Sequence, residues 1–175
     1  MKQTSQHNFT TVPNVEIPRS KFNRSFGLKT TFDASDLVPI FFEGDCLPGD
    51  TFNVNLTGFA RIATPIYPIM DNLILDTFFF FVPYRLLWTN FPKFCGEQTD
   101  PGDPIAYSMP QVPINNIANE SLYDYFGLPT QIAATYNVNN FAGRGYNLIW
   151  NEWFRDQNLQ DSLTVDKDDG PDPRS

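Results

Sequence analysis

Residues 51–57 alternate without a break. Phe52, Val54 and Leu56 fall to one side and Thr51, Asn53, Asn55 and Thr57 to the other, which predicts a half-buried β-strand. Leu47-Pro48-Gly49-Asp50 supplies the turn that opens it, and Gly58 shifts the phase so that Phe59 continues the apolar side across a bulge. Residues 72–82 read differently, as an almost unbroken apolar run holding Phe78, Phe79, Phe80 and Phe81 in succession. Successive side chains of a strand point to opposite faces, so such a strand needs cover on both. A shorter strand is expected over residues 37–42, and Thr64-Pro65-Ile66-Tyr67-Pro68 forms a turn or crossover between the two longer ones.

Beyond Pro83 the period becomes helical. A short helix is expected to start at Pro83 and run through Leu86, Leu87 and Trp88, limited by Pro92. Ser121-Leu122-Tyr123-Asp124 approximates a capping box, with Asp in the usual Glu place, and Gly127 supplies a stop. In the last helix Tyr146, Ile149, Trp150, Trp153 and Phe154 recur at helical spacing, a wide aromatic stripe that needs a partner surface. Residues 99–113 and 129–140 carry few regular signals and read as long loops. The fold class expected is mainly β with helical and loop insertions. Three regions follow: an extended arm over residues 1–32, a body over 33–164, and an acidic Gly/Pro-containing tail over 165–175 with no apolar anchor after Val165.

Charge changes this picture at the ends. The net charge is −8, which argues against a chain that works mainly by wrapping nucleic acid in a basic surface. Residues 1–30 nevertheless carry +4, and there Arg19, Lys21, Arg24 and Lys29 interleave with Phe22 and Phe26 as cations and rings do in single-strand binders. The competing reading is an arm packed on an acidic neighbouring surface. Seventeen Phe and few charges suggest a surface partly covered by something else, with Phe22, Phe26, Trp88, Trp150, Trp153 and Phe154 as the rings expected at an assembly interface.

Candidate chemistry is sparse. His7 is the single histidine and has no Cys or carboxylate nearby, so no His-based metal site or triad is expected. Cys46 and Cys95 are one possible bridge at most, which favours a reducing compartment; no secretory signal precedes them, and Asp45 denies Cys46 a cationic setting. Glu97, Asp100 and Asp103 fail the spacing of a calcium loop and read as turns shaped by Pro101, Gly102 and Pro104. Gly143-Arg144-Gly145 ahead of the last helix is a weak anion-binding signal beside the plainer reading of a flexible start to that helix. No stretch is long and apolar enough to span a bilayer.

Three stretches carry a resemblance. They are Pro18-Arg19-Ser20-Lys21-Phe22 onward to Leu47-Pro48-Gly49-Asp50-Thr51-Phe52; Met70-Asp71-Asn72 through Phe81-Val82-Pro83-Tyr84-Arg85-Leu86-Leu87-Trp88 to Gly96-Glu97; and Ile149-Trp150-Asn151-Glu152-Trp153-Phe154-Arg155-Asp156-Gln157-Asn158-Leu159. In these the chain resembles the N-terminal part of the major capsid proteins of the Microviridae, small single-stranded-DNA phages, and in particular their gokushovirus branch. The resemblance implies part of a viral jelly roll, an eight-stranded antiparallel β-sandwich with long insertions, left incomplete by a chain cut short at Ser175. It implies a non-enzymatic subunit, without cofactor, of a T=1 icosahedral shell that self-assembles around a single-stranded DNA genome. Small internal or scaffolding phage proteins are the implied partners, with assembly in the host cytoplasm and residence in the virion. The rival reading is a β-sandwich carbohydrate-binding module. Such a module would present its aromatics on one strand face, whereas here they sit on a doubly covered strand, a helix stripe and the arm.

Overall fold

In the computed structural model, which describes Glu16, residues 18–44 and residues 46–173, the chain divides into two units, Met1–Thr30 and Thr31–Ser175. No described residue of the first unit belongs to a helix or strand. Phe22 and Phe26 are exposed there, as are Arg19, Lys21, Arg24 and Lys29.

In the second unit, short elements form where proline and glycine allow. Helix α1, Tyr84–Leu87, starts after Pro83 and closes with the Trp88 amide on the Tyr84 carbonyl at 2.9 Å. Helix α2, Phe91–Phe94, takes Pro92 into its first turn, where no intrahelical N–H is required, so this proline begins a second helix after the first has ended. It stops at Gly96, whose φ of +105° suits glycine.

Helix α3, Leu122–Tyr125, ends as its sequence predicts. Gly127 takes φ +81°, its amide reaches the Asp124 carbonyl at 2.8 Å, and the Leu128 amide reaches Tyr123 at 3.1 Å, the paired bonds of a Schellman stop. Its start departs from the expected capping box. The Ser121 hydroxyl donates to the Ala118 carbonyl, and the Asp124 carboxylate accepts from the Glu120 amide at 2.8 Å. Glu120 is in the left-handed region at φ +62°, and its own amide, rather than that of Ser121, is the one bonded to Asp124.

The described sheet is small and lies where loops were expected. Strand β1, Gln111–Ile114, pairs antiparallel with β2, Tyr136–Asn139, with Val112 opposite Val138 and Ile114 opposite Tyr136. Val112 and Ile114 are buried with Ile117 and Tyr123, and Phe126, Leu128, Tyr136 and Val138 pack around them. Pro113 is accommodated because each strand of a two-stranded sheet is an edge.

A second apolar cluster gathers Leu87, Trp88 and Phe141 with Val82, Tyr84, Phe91, Tyr107 and Leu148. Tyr84 stacks on Phe141 at 4.5 Å between ring centroids, and Trp88 meets Phe94 at 5.3 Å. Helix α4, Phe141–Ile149, carries Phe141 into this cluster, then widens into a π-helical turn, Trp150–Phe154.

The strands expected at residues 37–42, 51–57 and 72–82 form no ladder among the described residues. A strand exists only through the hydrogen bonds of a neighbour, and no described segment pairs with these three. The alternation survives in part. Phe78 and Phe80 stack at 6.4 Å and both meet Phe154 yet stay 57% and 36% exposed, and Phe79 and Phe81 are 65% and 79% exposed, so the expected double cover is lacking.

Candidate assembly surface

Arg144 organises the interior of the second unit. Its side chain is 2% exposed, its Nε donates to Asp172 Oδ2 at 2.8 Å, and its Nη2 reaches Asp172 Oδ1 at 2.5 Å. Nη1 donates to the Leu87 carbonyl at 2.8 Å and Nη2 also to the Asp168 carbonyl at 3.0 Å. The planar fork of arginine fits this bidentate pairing as lysine could not. Asn140 Nδ2 donates to the same Asp172 carboxylate. A Cβ at position 143 would strike the Asn140 side-chain amide, and one at 145 would meet Leu87 Cδ1 at 3.8 Å. Gly143 therefore serves close packing, whereas a side chain at 145 would find ordinary contact, and the guanidinium is committed to internal acceptors.

The same interactions hold residues 167–172 in place without an apolar anchor. The Thr89 amide donates to the Lys167 carbonyl at 2.9 Å, the Asp172 amide to the Gln111 carbonyl at 2.7 Å, and Pro171 bridges Gln111 in parallel. Asp169 Oδ1 accepts from Trp88 Nε1 at 2.5 Å and Asn90 Nδ2 at 3.0 Å. Trp88 was expected at an assembly interface; it is instead wholly buried in this chain's own core, because its indole N–H finds its acceptor there.

A second arrangement joins three tyrosines to segment 31–44, which turns at Ala34 and Ser35. Tyr125 Oη donates to the Thr31 carbonyl at 2.9 Å, Tyr146 Oη to Leu37 at 2.8 Å and Tyr84 Oη to Gly44 at 2.7 Å. Desolvation and then the nearby Asp36 carboxylate push the Tyr146 hydroxyl above its ordinary pKa. Tyr125 moves the same way, through desolvation and then the charges of Glu120, Asp36, Asp33 and Asp124. Both therefore remain protonated donors well past neutrality.

The π-helical turn presents the aromatic stripe. Its position is fixed from behind by Asn151, whose Nδ2 donates to the Leu163 carbonyl while its Oδ1 accepts the Leu163 amide, each at 2.8 Å. Trp153 meets Phe80 at 5.6 Å and Phe154 meets Phe78 edge-on at 5.3 Å. Even so, Trp153 is 72% exposed, and Trp150 and Phe154 are half-buried. Three of the six expected interface rings thus lie on one turn beside the Phe run, and Phe22 and Phe26 lie in the first unit.

Asp103 Oδ2 accepts the Thr99 and Asp100 amides at 3.0 and 3.2 Å, and these bonds hold its carboxyl below the usual range, in keeping with a turn. Cys46 and Cys95 are exposed and not joined in a disulfide. His7 and Asp45 lie outside the described residues. Among the described residues no group of three His, Cys, Asp or Glu could hold a metal ion, and no helix is long and apolar enough to cross a membrane.

Comparison with known proteins identifies what these surfaces belong to. The chain is 51% identical over 170 residues to capsid protein VP1 of Bdellovibrio phage phiMH2K, an alignment covering 96% of this chain and 32% of that protein. It is 48% identical over 171 residues to capsid protein VP1 of Chlamydia phage 1, with 91% and 28% covered. Capsid protein VP1 of Spiroplasma virus 4 is 34% identical over 165 residues, with 91% and 30% covered. The chain thus spans about a third of the length of these relatives. A family model described as capsid protein (F protein) matches residues 10–175, and the chain belongs to that phage capsid protein family.

Proposed function

We propose that this chain forms part of a structural, non-enzymatic subunit that associates with copies of itself into an icosahedral phage shell around a single-stranded DNA genome. The observation that carries the proposal is the aromatic face around the π-helical turn, where Trp153 is 72% exposed and the Phe78 and Phe80 rings that meet Phe154 and Trp153 also remain exposed, in a chain of a capsid family. Contiguous apolar surface of this kind marks a site of burial against another protein surface. The jelly roll is the fold that would provide it: residues 51–57 and 72–82 keep a strand-like apolar pattern and need neighbouring strands to become a sandwich layer. The basic arm, with Arg19, Lys21, Arg24 and Lys29 exposed, suits contact with the genome. Small internal or scaffolding phage proteins are the further partners of this reading, with assembly in the host cytoplasm and the virion as the final location.

The test is the double variant Trp150→Ala/Trp153→Ala in the full chain. Truncated interface anchors cost about 2 kcal/mol or more each, so particle yield by electron microscopy should fall at least tenfold while subunit secondary structure is retained. Normal particle yield would overturn the assignment of this face.

A further inference from the structure

We infer that residues 31–44 are an exchangeable strap, seated in the assembled shell on Tyr84, Tyr125 and Tyr146 of a second copy of this chain. The inference rests on the proposed capsid reading and names one surface through which it would operate.

Within one chain the occupant of this seat is already visible. Three hydroxyls on α1, α3 and α4 donate to the carbonyls of Gly44, Thr31 and Leu37, spaced six and seven residues apart along the strap. The acceptors are backbone carbonyls, so the strap of any copy offers the same three bonds. No strap residue belongs to either buried cluster, and Phe32, Ile40, Phe41 and Phe42 stay exposed even in the seat. Removing the strap therefore leaves both apolar clusters whole.

The connections on either side permit the transfer. Before the strap lies the boundary between the two units, at Thr30 and Thr31. After it, residues 46–77 are exposed and include no helix or ladder among the described residues. A connection of that length reaches as far as about 100 Å when extended. The radius of gyration of a domain of this size is about 15 Å, so a neighbour's seat lies well within reach. Closing the strap onto its own body has an entropic cost that rises only slowly with loop length, and a touching neighbour offers an equivalent seat at similar cost. Exchange of an identical element keeps every bond of the closed monomer while linking the copies.

The test uses full chains in assembled particles. Light protein carrying p-benzoylphenylalanine in place of Tyr146 is co-assembled with an equal amount of unmodified heavy-isotope protein, then irradiated and analysed by mass spectrometry. A parallel sample carries the probe in place of Tyr125, in case the first substitution disturbs α4. Exchange predicts that about half of the adducts to peptides of residues 31–44 join light to heavy chains, as random mixing of seats requires. Light-to-light adducts alone, in particles of normal yield, overturn exchange and leave the capsid reading standing. Absence of adducts to the strap at both probe positions overturns it equally. Failure of the unmodified protein to form particles overturns the capsid reading and the exchange with it.

Discussion

Replacing Arg144 by Met removes the guanidinium while keeping a side chain of similar length in the α4 interior. The Asp172 carboxylate would then remain 4% exposed with its charge partner gone, and the carbonyls of Leu87 and Asp168 would be left without their donors. Breaking a buried pair from one side costs about 3–5 kcal/mol, and a buried acceptor left without a donor about 1–3 kcal/mol. Solvent reaching the vacated site reduces the carbonyl contribution, because Asp168 is 79% exposed at its side chain. A destabilisation of about 4 kcal/mol is expected, against a typical domain stability of about 5–15 kcal/mol. The assay is urea unfolding of the full chain followed by tryptophan emission, to which the buried Trp88 contributes. Asp172→Ala should cost a similar amount. The double variant Arg144→Met/Asp172→Ala should cost less than the sum by at least about 1.5 kcal/mol, because the pair acts as one unit. A single-variant effect below about 1 kcal/mol, or strict additivity, would refute the view that this pair anchors residues 167–172.

Changing Arg19, Lys21, Arg24 and Lys29 together to Gln should lower retention of single-stranded DNA in particles and reduce the slope of log affinity against log salt by about 3, at roughly 0.7 for each phosphate no longer neutralised. Filter binding over a salt series measures it, and an unchanged slope leaves the arm as a protein-docking segment. Alkaline titration tests the tyrosine seat. Because the folded Tyr146 and Tyr125 hydroxyls titrate above the ordinary value of 10.0, their contribution is complete below that pH and is lost as pH rises through the raised values. Tyrosinate absorbance, compared with the Tyr125→Phe and Tyr146→Phe variants, should therefore show these two hydroxyls ionising only beyond about 10; ionisation near neutrality would contradict their role as donors.

Local chemistry was legible where one short stretch decides the outcome. Pro83, Gly127 and the aromatic spacing from Tyr146 to Phe154 each act within a turn or two, and the helices formed where they pointed. Strands were harder in both directions. Residues 51–57 have the stronger alternation yet pair with no described segment, because pairing depends on a distant partner that the pattern does not supply. The observed strands hold only two inward residues each, Val112 with Ile114 and Tyr136 with Val138, too few to stand out from the surrounding loops. Arg144 was visible as an oddity between two glycines, and the acidic run from Asp166 to Asp172 was visible as a tail. Nothing in their spacing of 28 residues joins Arg144 to Asp172, since long-range ion pairing has no sequence period. Trp88 was misplaced for a related reason: the acceptor that lets its indole be buried, Asp169, lies 81 residues away.

Sedimentation combined with electron microscopy of the expressed whole subunit that contains this chain tests the central claim most directly, with nuclease-protected single-stranded DNA measured in the same fractions. The account predicts closed, uniform shells that hold protected DNA. A monodisperse, cooperatively folded monomer that stays unassembled at high concentration, with its aromatic face exposed and no protected DNA, would contradict it.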